Sequence, residues 1–248
     1  MSAKQTIQTA VEKVEQLRQL AKDTPGLAQA VSEIKAFQAK RFTGTYFDLL
    51  HTQQYQPAAQ FFLEELYSEK DYSQRDAQFS RIAGTLERMF PKQVVQTALT
   101  LAQLHCLTED LDMAMAQSWL DTDHAQGNDL VAKYVTVWRD VGRKSDRKKQ
   151  LSGALAVGKE LVTLTSTPGL RLALKMMRKP ASLAGMADLQ HFLESGFDTF
   201  AAMEKEKNSV NYFLKTVEAR ENKLLSELFA SSFTIAQDAI NDIMNYAT

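Results

Sequence analysis

The stretch PKQVVQTALTLAQLHCLTEDLDMAMAQSWL, from Pro91 to Leu120, decides the fold class. Pro91 suits the first turn of a helix, where a missing N–H costs nothing. Beyond it Leu104, Leu107, Leu111, Ala114 and Met115 recur at helical spacing and fall on one side. Val94, Ala98 and Leu101 run up the side on which His105, Glu109 and Asp112 follow. The spacing predicts a helix reaching toward Leu120, the longest of the chain.

The same period extends in both directions. Ile7, Val11, Val14 and Leu17, with Ala10 and Ala21, mark an opening helix that Pro25-Gly26 ends. A second helix is expected over Leu27 to Leu50, and a third over Gln56 to Tyr67 with Pro57 in its first turn. Ser73 and Asp76 have the Ser-x-x-acid spacing of a helix start, leading to a segment that ends before Pro91. Asp121 to Asn128 reads as a polar loop. The helices that follow break near Gly142 to Asp146, at Pro168-Gly169, and at Pro180 to Gly185. Asp188 to Lys205 and Asn208 to Phe229 complete the main pattern, and Phe233 to Tyr246 makes a short tail helix. Strand signals are nearly absent, Val162 to Thr165 being the clearest alternation. The expectation is all-α: one bundle-like domain over residues 1–248, of about eight to ten helices, with 231–248 loosely packed. A two-lobed arrangement split near Gly127 is the alternative.

Composition narrows the class. The chain is 44% hydrophobic and 24% charged, as soluble globular proteins are. A single cysteine, Cys106, excludes an intramolecular disulfide and fits a reducing compartment. The N-terminus lacks the apolar core of a signal peptide, and no run of about 18 apolar residues exists to span a bilayer. A cytoplasmic location follows, with peripheral attachment at the inner membrane left open.

Charge is unevenly placed. Val131 to Pro180 holds twelve Lys/Arg against three acidic residues, a net +9, and the other 198 residues hold −10. Arg139, Arg143, Lys144, Arg147, Lys148 and Lys149 are dense enough for a local positive field. Arg171, Lys175 and Arg178, at i, i+4 and i+7, line one side of a short helix whose other side offers Leu170, Ala173, Leu174 and Met177. A cationic amphipathic helix of that kind can lie on an anionic membrane, and the same charges suit an acidic protein face. Nucleic acid is the weaker reading, because no aromatic residue lies among the clustered cations. The competing structural account pairs these cations with acidic helices of the same chain.

Particular runs carry a resemblance. They are Phe61-Phe62-Leu63-Glu64-Glu65-Leu66-Tyr67, Asp71-Tyr72-Ser73-Gln74-Arg75-Asp76, Val141-Gly142-Arg143-Lys144-Ser145-Asp146-Arg147, Pro180-Ala181-Ser182-Leu183-Ala184-Gly185, Leu189-Gln190-His191-Phe192-Leu193-Glu194-Ser195-Gly196-Phe197 and Val217-Glu218-Ala219-Arg220-Glu221. From about Phe37 to Phe229 the chain resembles a bacterial all-helical family described only as a domain of unknown function. It departs from that pattern at Ser68-Glu69, where a Gly-Pro turn is usual, and at Lys179, where Gly is common. The resemblance implies a helical fold and a bacterial setting. It implies no activity, so no catalytic residue is carried over.

Two further candidate sites follow from residue type and spacing. Glu64 and Glu65 point about 100° apart on a helix, so they cannot act as a facing carboxylate pair without another element, though one of them can turn inward. Arg75 or Arg81 would neutralise it, and Glu64, Glu65, Tyr67, Asp71 and Arg75 read as a structural polar cluster fixing a turn. His105, Glu109 and Asp112 are the candidate metal ligands, at i, i+4 and i+7. The Glu-x-x-His pair of carboxylate-bridged dimetal bundles is missing, and His191-x-x-Glu194 has the reverse order. No phosphate loop or nucleophile elbow is present. The function expected is therefore a non-enzymatic binding or adaptor protein without cofactor, docking an anionic surface through 131–180. A metal- or cofactor-binding enzyme at His105/Glu109/Asp112 is one alternative. A self-associating structural protein using the Val210–Leu228 stripe as its seam is another.

Overall fold

Ser2 accepts the amide of Gln5 while the Gln5 side chain accepts the amide of Ser2, a capping box that starts α1 (Ala3–Asp23). The computed structural model describes residues 1–65, 70–122, 129–206, 208–230 and 232–247. In chain order there follow α2 (Leu27–Thr45), α3 (Phe47–Leu50), α4 (Gln56–Glu65), α5 (Ser73–Met89), α6 (Lys92–Asp121), α7 (Leu130–Val141), α8 (Lys144–Thr165), α9 (Leu170–Leu183), α10 (Ala187–Met203), α11 (Ser209–Ala230) and α12 (Phe233–Asn245). The described residues thus form twelve helices and no strand, rather than eight to ten helices. None of the described helices is long and apolar enough to cross a membrane.

The extra elements have local causes. Tyr46 leaves the helical conformation, at φ −116° and ψ 24°, and puts its buried ring into the core, which splits 27–50 into α2 and α3. The Val162–Thr165 alternation is simply the last turn of α8. The stop expected at Pro180 is delayed. Pro180 is carried inside α9, and the helix closes at Gly185, whose φ is +66°. There the Met186 amide donates back to the Ala181 carbonyl, as in a glycine-terminated helix end.

α6 is the central element, packed against α1, α2, α7 and α8. One apolar cluster joins Ile34, Phe37, Met115, Trp119, Tyr134, Leu228 and Ile240, drawing on helices before and after the 123–128 segment. Gly127 itself lies outside the described residues. A second cluster joins Phe42, Tyr46, Phe61, Phe62, Phe192, Phe200 and Phe213, and Leu151 packs against both. The Val210–Leu228 stripe belongs to these clusters: Phe213 and Leu228 are fully buried within the chain, so it is no outward seam. The Val217–Glu221 run ends in a buckle. Glu221 accepts from Arg41 at 3.0 Å and from the Tyr46 hydroxyl at 2.9 Å, while Arg220 grips both carboxylate oxygens of Asp48.

The tail is not loosely held. Ala236 and Ile240 of α12 are fully buried against α2, α7 and α11. Gly44 permits this approach, because a Cβ at that position would run into the Ile243 carbonyl. Gly44→Ala should therefore push α12 away, at a cost of about 1–3 kcal/mol. The expected readouts are a lower urea midpoint and faster amide exchange in α12 than in α6.

Candidate functional site

Asp76, on the first turn of α5, is 4% exposed and gives one carboxylate oxygen to two partners. Arg18 of α1 reaches Oδ2 at 2.6 Å, and His105 Nε2 of α6 lies 2.9 Å from the same atom. Burial works to raise the Asp76 pKa, but the hydrogen bonds and charges of His105 and Arg18 outweigh it and hold the group below the usual carboxylate range. Around this point α1, α2, α4, α5, α6, α8 and α10 line a partly open cavity of about 60 Å³. Its apolar wall is Val11, Phe79, Leu101, Leu104, Ala154, Leu189 and Phe192. Its polar wall is Lys35, Gln38, Glu65, Arg75, Asp76, His105, Thr108, Glu109, Asp112 and Gln150.

The expected polar cluster divides at this wall. Glu65 turns inward and meets Arg75 at 3.3 Å. The Glu64 carboxylate faces solvent, accepting from Gln60, while its backbone carbonyl receives the Tyr72 hydroxyl. Asp71 accepts the Ser73 amide at 2.8 Å and so starts α5; that backbone bond lowers its pKa. Arg81 bonds the Ala184 carbonyl instead of a glutamate. Tyr67 lies outside the described residues. Three of the runs that carry the family resemblance thus meet here, through Glu65, through Tyr72, Arg75 and Asp76, and through Leu189 and Phe192.

The three candidate metal ligands do not converge. They span about 10 Å of α6, and each is turned to a different neighbour. His105 goes to Asp76, Glu109 to Lys35 at 2.7 Å, and Asp112 to the Gln38 amide at 3.0 Å. Among the described residues no three of His, Cys, Asp and Glu are placed to hold one metal ion. Asp112 is buried, and desolvation raises its pKa against the opposing pull of Lys35 and Arg147. Arg18 was not legible as a participant: it lies 58 residues from its carboxylate and on another helix.

The basic segment does not form the open, unneutralised face that its composition suggested. Arg143 is shared by Asp110 of α6 and Asp146, and Lys149 also meets Asp146. Arg139 donates to the carbonyls of Leu228 and Ser232. Arg147 is buried over the Trp138 ring, with its centre 4.2 Å away, and bonds Gln150. Arg171 and Arg178 pair with Asp198 and Glu194 of α10. Lys144, Lys148, Lys175 and Lys179 remain solvent-exposed. The physical reason is helical: successive cations point in different directions, and guanidinium groups near carboxylates take the bidentate partner available.

The two pocket aspartates give opposite pH signatures. Asp76 has a depressed folded pKa, so its contribution is complete above the unfolded value near 4 and disappears as pH falls through the folded value. Asp76→Asn should cost about 2 kcal/mol at neutral pH, with the deficit shrinking in acid. Asp112 has a raised folded pKa, so its contribution is complete in acid and is lost as pH rises through that value. Asp112→Asn should therefore gain on the wild type as pH rises. Urea unfolding across pH checks both slopes, and equal slopes for the two variants contradict the assignment.

No curated protein and no solved structure matches the chain. A family model described as "Domain of unknown function (DUF8198)" matches residues 17–234. That span takes in α2 to α11, the end of α1 that carries Arg18, and the whole basic segment, and the chain belongs to this family.

Proposed function

We propose that the protein is a non-enzymatic binding module that rests α9 on an anionic membrane surface. The observation that carries this reading is the outer face of α9. Only Ala181 of this helix is buried, while Leu172, Met176 and Leu183 are 62%, 69% and 91% exposed. Steps of four and seven residues put the three on one stripe. Clustered exposed apolar groups of this size mark an interaction surface.

Charge selects the partner. α9 carries four cations and no acidic residue. Arg171 and Arg178 hold α10 along one edge, so the helix is fixed with its stripe outward. Lys175 and Lys179 lie between that edge and the stripe, facing solvent. An acidic protein face or a nucleic-acid backbone satisfies lysines but leaves three large apolar side chains in water. A bilayer with anionic headgroups takes both: apolar groups enter the acyl boundary and ammonium groups stay at headgroup level.

Each lysine near such a surface contributes about 1 kcal/mol, so attachment through a single helix is reversible and salt-sensitive. Sedimentation with vesicles tests this. The protein should pellet with phosphatidylcholine/phosphatidylglycerol vesicles, release at high salt, and ignore pure phosphatidylcholine. Lys175→Gln with Lys179→Gln should lower partitioning roughly thirty-fold, and Leu172→Glu should abolish it. Absence of lipid-dependent pelleting defeats the proposal. So does a light-scattering result in which Leu172→Glu converts a wild-type dimer to monomer, since the stripe would then cover a second copy of the chain.

A further inference from the structure

The α4/α5 side of the partly open pocket contains an arginine with donors unspent. The Arg75 guanidinium is stacked between two rings, 4.0 Å from the centre of Tyr72 and 4.6 Å from that of Phe192. Only its NH1 is engaged, by the Glu65 carbonyl and by Glu65 Oε2, both at 3.3 Å. Nε and NH2 have no partner among the described residues. An arginine fixed in plane by aromatic faces, with one edge of donors unspent, is the arrangement that takes a carboxylate through two parallel hydrogen bonds.

A bare anion does not suit the surroundings. Lys35 is matched by Glu109, Arg18 by Asp76, and Arg75 together with Lys70 by Glu65 and Glu64, so cations and carboxylates balance around the cavity. Desolvation favours the uncharged form of the remaining carboxyl, Asp112. Adding a lone negative charge would leave it facing Glu65 without compensation. A molecule carrying its own positive charge a few ångströms from its carboxylate avoids that penalty. It can enter the long Arg75–Glu65 contact, giving its carboxylate to the free guanidinium edge and its ammonium to Glu65. The cavity of about 60 Å³ amounts to roughly two water volumes, which restricts the enclosed part to a few heavy atoms.

We propose that this pocket binds a small zwitterionic amino acid of glycine size, with Arg75 receiving the carboxylate and Glu65 the ammonium. The site is independent of the α9 surface, and its occupancy requires no lipid.

Titration calorimetry on the full chain tests it with glycine, acetate and methylammonium as probes. Glycine should bind, and acetate and methylammonium should each bind at least about tenfold more weakly. Arg75→Lys keeps the charge but loses the planar fork, and should weaken glycine about tenfold. Glu65→Gln removes the ammonium partner while leaving the guanidinium, so acetate should then bind at least as well as glycine. That inversion of preference is not a consequence of lost folding, and it decides the matter even where the Arg75 variant proves unstable. No heat from glycine, acetate equal to glycine in the wild type, or an unchanged preference in Glu65→Gln each overturns the assignment.

Discussion

One oxygen of Asp76 ties three helices together. A buried carboxylate is costly unless paired, and Asp76 is paired twice, to Arg18 and to His105. The three residues come from α5, α1 and α6, so the pairing fixes the mutual height of three helices that pack closely together. It also orients the pocket. His105 is held with one ring nitrogen on the carboxylate and its ring nearly perpendicular to that of Tyr72. Tyr72 in turn stacks on Arg75 and ties its hydroxyl to the Glu64 carbonyl at the end of α4. Satisfying one desolvated charge thereby sets the position of the groups that line the cavity wall.

Much of this was legible in the sequence, and what was missed shares a cause. Periodicity located α1, α6, α10 and α11 because each buries a repeating apolar face, and a Ser-x-x-acid start signal located α5. The row His105, Glu109, Asp112 was legible too, and the Glu65–Arg75 pair, whose members lie only ten residues apart, was one of the combinations of Glu64 or Glu65 with Arg75 or Arg81 that the sequence left open. The partners of the row were not. Asp76 lies 29 residues from His105, and Lys35 and Gln38 lie 74 residues from Glu109 and Asp112. Spacing along one helix says which side chains share a face, but not which helix meets that face. The same limit explains the tail: a glycine on α2 decides how closely α12 can approach, and nothing near α12 in sequence announces it.

The basic segment separates net charge from surface potential. Its +9 is a property of composition. Folding divides the cations: Arg143, Arg171 and Arg178 meet carboxylates of α6 and α10, Arg139 bonds backbone carbonyls, Arg147 is buried against Trp138, Lys149 meets Asp146, and Lys144, Lys148, Lys175 and Lys179 stay in water. Arginine and lysine part company because the guanidinium is weakly hydrated and forks onto carboxylates, whereas the ammonium group remains strongly hydrated at the end of a flexible stem. Within α9 this leaves the arginines as attachments and the lysines as the free charge.

α10 stands between the two proposed sites, and its two faces are differently held. Leu189 and Phe192 are buried and form pocket wall, while Glu194 and Asp198 point the other way and receive Arg178 and Arg171. The arginines of those outer pairs are more than half exposed, and exposed ion pairs contribute at most about 1 kcal/mol each. The inner face is fixed by close-packed aromatic contacts, Phe192 against Phe61 and the buried Phe200 near Phe62. A shift or partial release of α9 would therefore exchange weak surface pairs for headgroup contacts without unpacking α10. The pocket wall stays in place because packing in the core, not the ion pairs outside it, determines where α10 sits.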